Sequence, residues 1–248
     1  SKRGVLPLSS LEAAEVEKLA EGVYRDVNIA LANELALACE ALGVDYWEVM
    51  KAANSQPFCH LHRPGTGVGG NCIPIYPYFL LSTLKGLDVS VIEHSRRRNE
   101  SMPRCVAFLF DEFLSQSGHK VSDVLVLGLS FRGNVADDRN SPTYELVREL
   151  KGLGYKVRVH DPYLRKPSKK VKFYRDIRKA LKDVQAVILS TDHSVYSSLG
   201  MKEMEEMAGN KLLVFDARGV LDRTLFDKQR LRILGNAPQY KIVGIPID

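Results

Sequence analysis

Cys72 lies in the run Gly65-Thr66-Gly67-Val68-Gly69-Gly70-Asn71-Cys72-Ile73-Pro74. Glycines let a backbone approach a ligand closely, and prolines fix the shape of a loop. A thiol held there is a candidate nucleophile. It is equally open to the ordinary use of a free cysteine, a small buried residue. Cys39 and Cys105 sit on apolar helical faces and take that second use. The other candidate chemistry is cationic. Arg132 and Arg218 follow the short apolar runs 124–127 and 212–215, so they leave one edge of a sheet together. Two guanidinium groups at such an edge suit a diphosphate, through paired charge-assisted hydrogen bonds. Ser141-Pro142 opens a helix just after Arg139, with serine as cap and proline in the first turn, and the free N–H groups there favour anions. Taken singly, each arginine reads as a surface ion pair with Asp137, Asp138 or Asp216. Taken as a set, they point to an anionic ligand. His160 and His193, also at strand ends, are expected to be structural.

These residues need two kinds of framework. Leu19, Val23, Val27, Leu31, Leu35 and Leu42 keep helical spacing and predict a helix over 9–43, with Ser9 and Glu12 as a capping box and Gly43 as its stop. Its apolar set is broad enough to pack against several helices or a second copy of itself. A shorter helix over 45–54 is capped by Asp45. Glycines and prolines forbid regular structure through most of 56–77, and helical pattern resumes near Tyr78 and again over 89–117. The second half changes period. Apolar runs at 124–127, 157–160, 186–189, 212–215 and 241–245 alternate with helical segments over 141–152, 175–183 and 200–208. That alternation means a parallel sheet covered on both faces. The fold class is α/β, an all-helical dimerisation domain over 1–119 followed by a Rossmann-like parallel-sheet domain over 120–248. The turn after the first run, Gly128-Leu129-Ser130-Phe131-Arg132-Gly133, is neither a dinucleotide fingerprint nor a Walker loop.

The composition limits the remaining classes. With 248 residues, 45% hydrophobic and 26% charged, the chain has ordinary globular content. No run of about 18 apolar residues is present, so no membrane-spanning helix is expected. Four scattered cysteines without a CxxC pair argue against a zinc site or a disulfide framework and fit a reducing cytoplasm. Residues 1–119 carry 11 basic and 14 acidic side chains, and residues 120–248 carry 24 and 16, so the second half suits an anionic partner. It lacks aromatic stacking motifs and a recognisable reader fold, so nucleic acid is not expected.

Three segments, in order, resemble the nucleotide-sugar dehydrogenases (UDP-glucose, GDP-mannose and UDP-N-acetylmannosamine 6-dehydrogenases). They are the long helix Glu17–Leu35, the loop Gly65–Leu80 with its GVGGxCIPxxPYFL pattern, and the pair Gly128–Pro142 with Phe215-Asp216-Ala217-Arg218. The resemblance covers the last two of that family's three domains, and residues 1–10 look like the exit from the first, which holds NAD. It implies that Cys72 is the catalytic nucleophile and that Lys18 stabilises the developing oxyanion. It implies a UDP-sugar held by Phe131, Arg132, Arg139, Arg218, Gly69, Gly70 and Arg63, and a homodimer formed through the helix over 10–43. NAD belongs to the complete family enzyme, and none is expected on this chain.

The sequence also departs from the family pattern. Gly22 stands where family members usually have asparagine, and Tyr76 where they have an acidic residue that helps activate water. Asn71 stands where histidine is frequent, and Phe58 at the place of an arginine contributed across the dimer, for which Arg63 is a substitute. These departures and the unmatched NAD domain predict that this chain alone oxidises nothing. They keep a second reading open, a non-catalytic UDP-sugar-binding descendant acting as a sensor or partner subunit.

Overall fold

The computed structural model describes residues 4–236. Helix α1 runs Leu11–Leu42 and stops at Gly43, whose φ of 69° is the left-handed conformation that glycine adopts freely. Its cap is Ser10, not Ser9: the Ser10 hydroxyl accepts the Ala13 N–H at 3.1 Å. The helix starts one residue late for the Ser9/Glu12 box, so the reciprocal bond of that motif is not formed. Helix α2 (Tyr46–Ala53) is capped by Asp45, which accepts the Trp47 N–H at 2.9 Å. Helix α3 (Tyr76–Thr83) begins before the position expected, because Pro77 falls in the first turn, where a missing N–H costs nothing. Helix α4 (Ser90–Gln116) carries Pro103 within it.

Strands β1 (Asp123–Leu127), β2 (Lys156–His160), β3 (Phe173–Tyr174), β4 (Ala186–Leu189), β5 (Leu213–Asp216) and β6 (Leu231–Ile233) form one parallel sheet in the order β3-β2-β1-β4-β5-β6. Helices α5 (Thr143–Gly152), α6 (Ile177–Leu181) and α7 (Met201–Ala208) connect it. Two strands escaped the periodicity reading. β3 is too short to leave an apolar run, and β6 is interrupted by Arg232. The strand expected over 241–245 lies outside the described residues. The α5 cap position is Pro142, but the Ser141 hydroxyl still accepts the Thr143 N–H at 3.3 Å.

The core has two faces. On one, Val126, Phe215, Leu146 and Leu150 pack with Phe110, Phe113 and Leu114 of α4. On the other, Leu127, Val187 and Val214 pack with α6 and α7. The last turns of α4 therefore cover the sheet, although the helix starts among the helical elements and packs on α1. Arg232 ties the same parts together. Its fully buried guanidinium binds Glu40 of α1 at 2.6 Å and donates to the Leu109 carbonyl at 3.1 Å and to Glu112 at 3.3 Å. Trp47 of α2 donates to the Leu234 carbonyl at 2.9 Å.

Candidate active site

The order 3-2-1-4-5-6 reverses between β1 and β4, and a ligand crevice is expected beyond the carboxyl ends of those strands. A cavity of about 490 Å³ lies there. The segment after β1 supplies Ser130, Phe131 and Arg132; the segment after β4 supplies Ser190, Thr191 and Asp192; Arg218 follows β5. The glycine loop forms the opposite wall from His62 to Ile73, and Arg25 and Ile29 of α1 close one end. The start of α5, Pro142 and Thr143, also faces in, which favours an anion.

Buried polar chains hold this loop. Asp26 accepts from Arg96 at 2.7 Å and from Asn99 at 2.8 Å. Asn99 accepts from Asn33 at 3.0 Å, and Asn33 accepts the Gly65 N–H at 2.9 Å. Burial pushes the Asp26 carboxyl up, against Arg96 and Asn99, which hold it down. On the sheet side, Ser190 bonds Thr66 of the loop at 3.1 Å and Thr143 of α5 at 2.8 Å. Beneath β1, Asp161 accepts the N–H groups of Leu129 at 2.9 Å and Ser130 at 2.8 Å and pairs with His193 at 3.0 Å. His160 bonds the Tyr196 hydroxyl at 2.9 Å. Both histidines are engaged below the cavity, and neither lines it.

The cavity is strongly cationic. Arg25, Arg63, Arg132 and Arg218 line it against one carboxylate, Asp192. Arg218 is held from both sides, donating to Asp192 at 3.1 Å and to the Pro64 carbonyl at 3.1 Å. Burial works against the Asp192 carboxylate, but Arg218 holds it below its ordinary range. Among the described residues, no hydrogen bond or ion pair engages the guanidinium groups of Arg25, Arg63 or Arg132. Burial, with His60 and Arg25 nearby, pushes His62 down, toward its neutral form.

The remaining residues singled out in the sequence divide. Phe131 sits over Gly69 and Gly70: a Cβ at Gly69 would lie 2.6 Å from the Phe131 Cβ. Cys72 is exposed on the cavity wall, and its carbonyl accepts the Tyr76 N–H at 2.9 Å as the chain turns into α3. Arg139 does not line the cavity. Its exposed guanidinium grips Asp137 at 2.6 Å, while its backbone carbonyl accepts the Gly70 N–H at 2.9 Å. Lys18 is also outside the cavity, paired with Glu21 at 2.6 Å, which raises its ammonium above the usual range. Its charge is felt at Tyr76. Arg25 and His62 were not legible as site residues. A charged side chain on a helix reads as a solvated face, and only the folded loop gives the exposed Arg25 a cavity to line.

A dinucleotide does not fit this sheet. The first crossover wanders from Gly128 to Pro142 before α5 begins, where a dinucleotide site needs a tight glycine turn running straight into the helix. Gly133 is packed against the Asp192 carbonyl, which a Cβ would approach to 2.2 Å.

Residues 12–101 match the central domain of the UDP-glucose/GDP-mannose dehydrogenase family, and residues 125–223 match its UDP binding domain. The chain belongs to this family. It is 36% identical over 221 residues to the UDP-N-acetyl-D-mannosamine dehydrogenase of Pyrococcus horikoshii, covering 88% of this chain and 51% of the relative. The enzyme of the same name from Methanocaldococcus jannaschii is 31% identical, with 93% of this chain and 52% of the relative covered. Among solved structures, the UDP-D-ManNAc dehydrogenase from Pyrococcus horikoshii superposes with a TM-score of 0.80 at 35% identity, over 91% of this chain and 52% of that one. An NDP-N-acetyl-D-galactosaminuronic acid dehydrogenase from Methanosarcina mazei gives 0.84 at 28% identity, over 93% and 53%. The chain thus spans about half the length of the curated relatives it matches.

Proposed function

We propose that this chain is the UDP-sugar-binding and dimerising part of an NAD-dependent nucleotide-sugar 6-dehydrogenase, acting in the cytoplasm on UDP-N-acetylmannosamine or a related UDP-hexose. The observation that carries this reading is the cavity at the strand-order reversal, where four arginines face one carboxylate and Cys72 stands on the wall. Arg132 and Arg218 grip the diphosphate, with the amino end of α5 adding its dipole. Phe131 packs beside the nucleoside. The sugar then lies along the glycine loop with its C6 end toward Cys72, the nucleophile toward an oxidised C6 carbon. In the family reaction NAD accepts the hydrides, and this chain's share is to bind, orient and supply the thiolate. Lys18 and Arg139, outside the cavity, act at its margin. Val16, Tyr24 and Leu31 are exposed on one side of α1 and offer the face for a second copy.

Calorimetry with UDP, UDP-N-acetylmannosamine, UDP-glucose and a short oligonucleotide tests this. UDP and at least one UDP-sugar are expected to bind and the oligonucleotide is not. Failure of UDP and of both sugars would overturn the reading. The purified 248-residue chain is expected to leave NAD unreduced.

One observation favours a second reading, a sensor or partner subunit that binds UDP-sugars without turning them over. The position one turn after Cys72 carries the phenol of Tyr76 rather than a carboxylate that could activate water. Supplying an NAD-binding partner domain in trans separates the two readings: UDP-sugar oxidation supports the enzyme, and tight binding without oxidation supports the sensor.

A further inference from the structure

Gly22 and Tyr76 fill one space. Gly22 is buried in α1, and a Cβ on it would lie 2.4 Å from the Tyr76 Cδ2 and 3.1 Å from its Cγ. The ring stacks on its other side with Phe79, with centroids 6.5 Å apart and planes 27° from parallel. The Tyr76 N–H is tied to the Cys72 carbonyl at 2.9 Å. These three restraints set the phenol one helical turn from the thiol, on the same side of the turn into α3. Lys18 stands one turn before Gly22 on the same helix and adds its positive charge.

On the reading of Cys72 as the nucleophile, we infer that Tyr76 is the positioning residue of the Cys72 thiol and that Gly22 is the seat for its ring. A neutral phenol donates a hydrogen bond to a thiolate, whereas a carboxylate in the same place repels it. The Cys72 side chain, with a smaller contribution from burial, raises the Tyr76 hydroxyl above its usual value, against Lys18. Tyr76 therefore keeps its proton, and remains a donor, through the neutral range. The arrangement accounts for two departures from the family pattern as one. A side chain at position 22 collides with the ring, and a short carboxylate at position 76 leaves a hollow over Gly22.

Alkylation of the purified chain by iodoacetamide, resolved cysteine by cysteine by mass spectrometry over a range of pH, tests this directly. In the unaltered chain Cys72 is expected to label faster than Cys59. Tyr76→Phe keeps the ring over Gly22, so it folds normally. It is expected to slow Cys72 labelling near neutral pH by about threefold or more and to move the pH profile upward, leaving Cys59 unchanged. Gly22→Asn alone is expected to lower the melting temperature, and Gly22→Asn with Tyr76→Asp to recover it while Cys72 stays slow. An identical Cys72 rate and profile in Tyr76→Phe would overturn the positioning role and leave the nucleophile reading standing. An unchanged melting temperature in Gly22→Asn would overturn the seat. Labelling that bypasses Cys72 in the unaltered chain would overturn the nucleophile reading, and this inference with it.

Discussion

Arg218 and Gly65 exclude one another: a Cβ at Gly65 would lie 2.3 Å from the Arg218 Nη1. The arginine that follows β5 is thus laid directly on the backbone of the glycine loop, and its donation to the Pro64 carbonyl at 3.1 Å fixes it there. One guanidinium both closes the seam and faces the cavity.

Arg218→Ala is expected to weaken UDP binding at least tenfold, or about 1.4 kcal/mol, and to lower the melting temperature. Gly65→Ala leaves the arginine in the sequence but pushes it off its seat, at a cost of about 1–3 kcal/mol for overpacking. Calorimetry is expected to show weakened UDP binding in both variants. Unaltered affinity in Gly65→Ala would mean that the seat is irrelevant to the ligand.

Arg132 behaves differently, since no hydrogen bond or ion pair holds it among the described residues. Arg132→Ala is expected to reduce UDP affinity about tenfold while stability changes by less than about 0.5 kcal/mol. Thermal unfolding beside calorimetry checks the contrast with Arg218. The remaining affinity is expected to fall with added salt less steeply than in the unaltered chain, because one phosphate contact is gone.

The Glu40–Arg232 pair at 2.6 Å is fully buried, and Glu40 also accepts the Gly235 N–H at 2.8 Å. Removing Glu40 takes away the shorter, fully buried partner of Arg232 and leaves Glu112 at 3.3 Å to balance the charge, so Glu40→Ala is expected to cost about 3 kcal/mol, at the low end for a broken buried pair. Urea unfolding measures it. The loss is expected to be cooperative, since the pair joins α1 to β6.

Asp161 gives the pH dependence. Burial alone would raise its carboxyl, but the His193 bond and the N–H groups of Ser130 and Leu129 outweigh it, and the net shift is downward. A depressed folded-state value means stability that is fully present above the unfolded carboxyl value of about 3.9 and is lost progressively as pH falls below it. Asp161→Asn is expected to lower stability at pH 7 and to flatten the decline of melting temperature on the acid side. An unchanged acid limb would remove Asp161 from the account.

Much of the architecture was legible because burial imposes period. The apolar runs at 124–127, 157–160 and 186–189 fall on β1, β2 and β4, and helical spacing falls on α1 and α4. β6 was hidden because its centre, Arg232, is a charge buried by a partner nearly two hundred residues away, which no local pattern encodes. Ser9 and Glu12 match a capping-box motif that the actual start of the helix does not use; Ser10 caps it instead. At the site, Arg132 and Arg218 could be brought together on paper because strand ends share an edge. Arg25 could not, because only the folded loop gives its helix face something to enclose. Arg139 shows the converse: its type promised a ligand contact, and its carbonyl rather than its guanidinium meets the loop.

Helix α4 begins against α1 and ends in the packing of the sheet. A single helix thus runs through both regions, and the Glu40–Arg232 and Trp47–Leu234 ties join them a second time. A swing about residue 119 would have to break these buried contacts, so the opening between loop and strand ends is expected to be set before a molecule arrives and to sort by length and charge.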